Sequence, residues 1–322
     1  MNFMNTSSPH IRGKERTDRI MKDVVIALLP TTLAGVYFFG IRALFVVLIS
    51  VIAAVASEAA WRLILTKEST LFDFSAVVTG LLLALTLPAS VPYWVPVLGS
   101  LFAVVVVKGM CGGLGQNTFN PALAGRALLV AVCPVHVTRF LAAGTKIGLE
   151  VPVDAVTGST PLHDMVMNAV PEAPLMDMFL GNIGGCIGEV SALALLAGGG
   201  YLLYRKVISP RIPLSYIGSI AILTMIFNKG HQPMEWMLYS ILGGGVLLGG
   251  IFMLTDYSSS PVTPLGQIIY GIGAGILTVI FRYYGLFPEG VTYAILLMNA
   301  AAWLLDEHIV PRRFGTQKGG AK

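Results

Sequence analysis

Gln116-Asn117-Thr118-Phe119-Asn120-Pro121-Ala122 interrupts an otherwise apolar run with polar residues and a proline, and the reading of that interruption decides the fold. Proline removes a backbone donor and breaks a helix. Lipid offers no partner for the released amides and carbonyls, so the break has to face a protein interior or a cavity. The second half of the chain holds a stretch of the same kind, Asp256-Tyr257-Ser258-Ser259-Ser260-Pro261-Val262-Thr263-Pro264. Trp94 opens a glycine-containing apolar segment 27 positions before Pro121, and Trp236 opens a glycine-rich one 28 positions before Pro264. The two halves read as weak repeats, each with a broken helix.

Composition sets the class. Of 322 residues, 55% are hydrophobic and 12% charged, against about 25% charged in an average globular chain, and mean hydropathy is +0.76. This is an all-α polytopic membrane protein. A bilayer core takes about 20 apolar residues per helix, and shorter broken helices are allowed in a protein interior. Ten segments qualify, near 20–39, 42–65, 73–88, 93–112, 121–138, 181–203, 213–228, 234–254, 265–284 and 290–306. They divide the chain into an N-terminal segment 1–19, a five-helix unit 20–138, a polar loop 139–180, a second five-helix unit 181–306 and a tail 307–322. Duplication of an odd number of spans inverts the second copy in the membrane, giving two inverted repeats.

Basic residues set the orientation. With the N-terminal segment retained and cytoplasmic, Arg62, Lys67, Lys108, Arg205, Lys206, Arg211, Arg312, Arg313 and Lys318 all fall on the inside. Loop 139–180 then lies on the outer face. Arg42, Arg139, Lys146 and Arg282 dissent from this topology. The net charge of +4 sits mainly at the ends and in short loops, a pattern that suits a bilayer and not nucleic acid.

Helix N-termini at the Asn120-Pro121 break would suit an anionic or polar ligand, and Arg126 just beyond would add a full positive charge. The alternative is a structural kink satisfied by its own Asn, Ser and Thr side chains. Glu58 and Glu189 lie within the spans, Glu189 about eight residues into its helix, and Asp256 sits in the second break. Ionisable groups at depth mark an ion path or a paired interior contact, and both readings stand. Cys111, Cys133 and Cys186 lack metal or disulfide spacing and read as buried thiols. No nucleotide-binding glycine motif, paired metal-ligand histidines or catalytic constellation is present, so electrons passing through this chain would need an organic cofactor.

Loop 139–180 contains a polar island, Asp154-Ala155-Val156-Thr157-Gly158-Ser159-Thr160. Gly158 tolerates the dihedrals of a tight turn, which leaves the Thr160 hydroxyl open to a modifying enzyme; ordinary turn chemistry is the alternative.

That island resembles the motif Asp-x-x-(Ser/Thr)-Gly-(Ala/Ser)-Thr at which a flavin transferase esterifies FMN to the last threonine. Together with Gly115 to Ala122, Ile187-Gly188-Glu189-Val190-Ser191 and Thr255 to Gly266, it resembles the D-type proteins of Rnf complexes in the RnfD/NqrB family, over nearly the whole chain. The one departure is Ser159, where alanine is commoner, and it offers a competing hydroxyl. The resemblance implies a fold similar to urea transporters, covalent FMN on Thr160 within Asp154, Thr157, Gly158 and Ser159, and a riboflavin nearer the inner face. It implies membership of a six-subunit inner-membrane enzyme that couples ferredoxin and NAD to Na⁺ or H⁺ movement, with Glu189, Glu58 and Asp256 as ion-path candidates. The implied partners are the flavin-bearing G subunit, the membrane A, E and C/B subunits and the flavin transferase. A solute channel or secondary transporter of the same fold, and a membrane scaffold, are the competing readings.

Overall fold

The computed structural model describes residues 17–64, 73–113, 115–142, 144–149, 158, 160–285 and 290–310. Those residues form helices and no strands. In order they are α1 (Thr17–Phe39), α2 (Ile41–Ile64), α3 (Ser75–Leu85), α4 (Trp94–Leu101, continued as a π-helix over Phe102–Gly109), α5 (Pro121–Val132) and the short α6 (Pro134–Val137), α7 (Pro161–Val166) and α8 (Leu175–Leu180). Then follow α9 (Ala192–Tyr204), α10 (Arg211–Ile226), α11 (Pro233–Leu242), α12 (Val246–Leu248, continued as a π-helix over Gly249–Met253), α13 (Pro264–Tyr284) and α14 (Val291–His308).

The proline-broken stretches are helix starts. Asn120 caps α5, its Oδ1 accepting from the amides of Ala122 and Leu123 at 3.0 and 3.3 Å, and Pro121 fills the first helical position, where no donor is needed. Thr263-Pro264 opens α13 by the same rule, Thr263 Oγ1 accepting from Gly266 N at 3.2 Å.

Several spans are shorter or more bent than their apolar runs suggest. By length and composition α1, α2 and α13 can each cross a membrane, and the α11 and α12 helices make one more candidate bent by 63° at Gly243-Gly244-Gly245. The apolar helices α3, α4, α5, α9 and α10 are shorter than 18 residues, and α3, at 11, rises only about 16 Å. The expected helix over 181–203 begins only at Ala192. Residues 181–190 are irregular and pack on the end of α3, with Ile187 N donating to Leu87 O at 3.0 Å and Gly188 N to Leu85 O at 2.8 Å. Glu189 therefore precedes a helix instead of lying inside one. The 121–138 run breaks at Cys133 and resumes as α6. Cys111 is exposed, contrary to the buried thiol expected there.

Packing repeats between the halves. α1 lies on α9, α2 packs on α3 and α4, α10 packs on α11 and α13, and α5 meets α14. Between each tryptophan and its proline lies a π-helical turn, Phe102–Gly109 before Pro121 and Gly249–Met253 before Pro264. Small residues make the crossings close. Ser50 Oγ donates to Gly80 O at 2.7 Å between α2 and α3, and Ser100 Oγ on α4 donates to Ser50 O at 3.0 Å. On the other side Ser215 and Ser219 of α10 face Gly271 and Gly275 of α13.

Two of the basic residues that dissent from the topology are explained by burial. Arg42 is 6% exposed; its Nε donates to Ala89 O at 2.9 Å, Nη2 to Val91 O at 2.9 Å and Nη1 to Leu149 O at 2.6 Å. Arg282 is likewise 6% exposed and bound to three carbonyls. Neither is a flanking charge of the kind that orients a span.

A Cβ on Gly198 would overlap the carbonyl oxygen of Ala27 where α9 crosses α1, whereas Gly200 has nothing near it. Gly198→Val should therefore destabilise the purified protein by about 1–3 kcal/mol or prevent folding, and Gly200→Val should leave it close to wild type. Thermal unfolding in detergent compares the two.

Candidate cofactor and ion sites

Two sites lie beyond opposite ends of α9, whose 13 residues span about 20 Å. The first centres on Thr160. Like Asn120 and Thr263, Thr160 is a cap followed by proline: it opens α7, and its Oγ1 accepts from His163 N at 3.3 Å. One lone pair of the hydroxyl oxygen is thus used by the backbone. Thr160, Pro161 and Leu162 share a cleft with Ile183, Gly184, Gly185, Glu189, Gly243 and Gly244. Four glycines give that cleft walls without side chains. Gly244 has φ +64°, and a Cβ there would lie 2.5 Å from Leu162 Cδ2 and 2.7 Å from Arg282 Nη2. Gly158 is required for contact, not for a left-handed turn: its φ is not positive, and a Cβ would lie 2.9 Å from Ala142 Cα. Asp154, Thr157 and Ser159 lie outside the described residues.

Behind the cleft, Arg126 Nη1 donates to Thr86 O at the end of α3, and Nη1 and Nη2 each lie 3.6 Å from Cys186 Sγ. Glu189 accepts hydrogen bonds from Cys186 and interacts with both Arg126 and Arg282. Arg126 is thus committed to the end of α3 and does not join Asn120 in a common pocket.

The second site is the larger, a cavity onto which both proline-broken stretches converge. Its wall includes Ser75, Thr79, Lys108, Asn117, Asn120, Pro121 and Asp256. Asn299 of α14 ties the two breaks together, Oδ1 accepting from Asn120 N at 3.2 Å and Nδ2 donating to Ser259 O at 3.1 Å. Asn120 Nδ2 donates to Met253 O at 3.2 Å, so its side chain is spent on the cap and this link. Asp256 Oδ2 accepts from Ser258 and Ser259 hydroxyls at 3.1 and 3.2 Å.

Glu58 is one half of a buried ion pair. Lys108 Nζ lies 2.8 Å from Glu58 Oε1, each side chain being 4% exposed, and donates to Ser75 Oγ at 2.5 Å. Ser75 Oγ in turn donates to Asp73 Oδ1 at 2.5 Å. Lys108 is therefore no flanking charge; it reaches the large cavity from a π-helical turn. Its position inside an apolar run is the signal for this in the sequence. Arg282 leaves a similar signal in its dissent from the topology; Asn299 leaves none beyond a lone amide in an apolar helix.

The NQR2, RnfD, RnfE family matches residues 4–315, and the chain belongs to it. Among its relatives is the D-type protein of the Na(+)-translocating ferredoxin:NAD(+) oxidoreductase complex of Acetobacterium woodii, 48% identical over 99% of this chain and 97% of the relative. The proton-translocating counterpart of Clostridium ljungdahlii is 40% identical over 98% and 97%, and the D-type protein of the ion-translocating oxidoreductase complex of Stutzerimonas stutzeri 37% over 95% and 94%.

Removing one partner of a buried ion pair strands the other charge at a cost of about 3–5 kcal/mol. Lys108→Met should destabilise by that order, and Lys108→Met/Glu58→Gln should recover part of the loss. Denaturation of the three proteins in detergent measures the difference.

Proposed function

We propose that this chain is the D-type membrane component of an ion-translocating ferredoxin:NAD⁺ oxidoreductase and carries FMN esterified through its phosphate to Thr160. The observation that supports this most is the position of Thr160: the last residue of the flavinylation motif stands at the mouth of a glycine-walled cleft shared with the buried-charge cluster. The fit rests on the chain's own surfaces. Gly185 has open space in front of it and faces the cleft as bare backbone, and the buried Nε of Arg282 nearby lacks a hydrogen-bond partner. FMN supplies one-electron chemistry that no side chain here offers. Thr160 tethers it, while Asp154, Thr157, Gly158 and Ser159 present the threonine to the flavin transferase.

The cavity between the proline breaks is the place for a noncovalent riboflavin, with Asn117, Asp256 and Lys108 as polar contacts on a largely apolar wall. Glu189, Glu58 and Asp256 are the acids assigned to the ion path. Glu58 reaches the large cavity through Lys108, Asp256 lines it, and Glu189 lies near the Thr160 cleft. The Acetobacterium and Clostridium relatives carry different ions in their names, so the residues shared between them do not select Na⁺ or H⁺. The duplicated packing supports ten spans in two inverted five-helix repeats, 20–138 and 181–306, of the urea-transporter type. In the cytoplasmic membrane this arrangement puts loop 139–180 on the outer face, next to the flavin-bearing G subunit, with the A, E and C/B subunits alongside.

The protein expressed with the flavin transferase should give a fluorescent band on denaturing electrophoresis. Thr160→Ala should abolish the band and Ser159→Ala should keep it, because the motif accepts alanine at that position. No fluorescence from the wild-type chain under these conditions overturns the assignment.

A further inference from the structure

Lys108 stands between two spaces and, among the described residues, is the only one that lines both. One space is the cavity between the proline breaks; the other is a cleft by the end of α2, bounded by Glu58, Trp61, Arg62 and Gly109. The ammonium is bonded to each side. Nζ donates to Glu58 Oε1 at 2.8 Å, on the cleft side, and to Ser75 Oγ at 2.5 Å, on the cavity side. Ser75 gives its own proton to Asp73 Oδ1 and so can only accept from the lysine. An ammonium carries three donors. Two are used, and no described residue takes the third.

The described charged groups on the two walls are Lys108 and Asp256 in the cavity, and Glu58, Arg62 and again Lys108 in the cleft. Asp256 is held by the Ser258 and Ser259 hydroxyls. Close by, Lys22 pairs with Asp18 and lies over the Phe74 ring, while Asp23 is bound by Tyr201 and Arg205. Glu58 has a further interaction besides Lys108, so its carboxylate is not held by the lysine alone. Lys108 is the adjustable member of the pair, a flexible four-carbon stem with a partner on either side and an unused donor. In a low-dielectric interior, charge placed in the cavity acts strongly on an ammonium at its wall.

From this geometry we infer that Lys108 couples charge in the cavity to cation uptake at Glu58. The inference rests on the assignment of a flavin to that cavity. Negative charge gained there draws the ammonium, through its third donor, away from Glu58, and the carboxylate then takes a cation, Na⁺ or H⁺, from the cleft. The electron comes from the redox partners of the complex, and one electron in the cavity is matched by one cation at Glu58. Lys108 keeps its three protons throughout. The one bond that forms is the O–H of Glu58 when the cation is H⁺. Coupling of this kind is reciprocal, so a cation at Glu58 favours the reduced occupant of the cavity.

The test is the midpoint potential of the noncovalent flavin on the purified Thr160→Ala protein, titrated at several Na⁺ concentrations and, without Na⁺, at several pH values. One cation per electron raises the potential by about 59 mV for each tenfold increase in that cation. Adding Lys108→Met/Glu58→Gln should remove the Na⁺ slope or flatten the pH slope, and Glu58→Asp should keep it. A slope in the Lys108→Met/Glu58→Gln protein equal to that of its parent overturns the coupling. The flavin-free protein gives a second readout. Lys108→Met leaves Glu58 without its lysine and should be stabilised against thermal unfolding by Na⁺ or by lower pH more than the wild type is; no such gain overturns the cation site. If Lys108→Met alone does not fold, Glu58→Gln replaces it in the potential titration, with the same loss of slope expected. Absence of noncovalent flavin from the wild-type protein overturns the assignment of the cavity, and the thermal readout then judges the cation site by itself.

Discussion

Carbonyls released where helices stop inside an apolar bundle have to be met by a donor, and in this protein buried guanidinium groups meet them. Arg42 holds Ala89, Val91 and Leu149; Arg126 holds Thr86; Arg282 holds Ser240, Gly243 and Gly244. Lipid cannot provide those hydrogen bonds, and an arginine fork provides several from one side chain. Without these three residues, the irregular segments 86–93 and 243–245 would leave buried polar atoms unsatisfied. The short helices α3 and α11 exist because such segments are tolerated.

The same device places charge. A donor that satisfies carbonyls by hydrogen bonding keeps its formal charge, so Arg126 and Arg282 bring charge close to the Thr160 cleft. Glu189, in the irregular segment before α9, lies against the Gly243-Gly245 strip. At the other end of α9, cation and acid are paired outright, Lys108 with Glu58, and the chain of hydrogen bonds continues through Ser75 to Asp73. The Lys108–Glu58 pair and the Thr160 cleft are separated by apolar packing of α1 against α9.

Much of the architecture was legible in local sequence. Asn120-Pro121, Thr160-Pro161 and Thr263-Pro264 obey one rule for starting a helix, and each start is where that rule puts it. The apolar runs located the membrane-type helices to within a few residues at α1, α2 and α13. They failed at 181–190, because Gly184-Gly185 and the docking on α3 outweigh an apolar composition. They failed also at Gly243-Gly245, where three glycines and Arg282 make a bend of an apparently continuous helix.

By itself the sequence determined an all-helical, membrane-type chain, the proline-marked starts of α5 and α13, and the threonine that ends the Asp154–Thr160 island, because composition, capping and residue order are local properties. Only the tertiary structure decided that both proline breaks face one cavity, that Glu58 is paired with Lys108, and that Arg126 and Arg282 are spent on buried carbonyls. Those are contacts between residues 38 to 133 positions apart. They are set by which helices pack together and by which buried carbonyls need a donor.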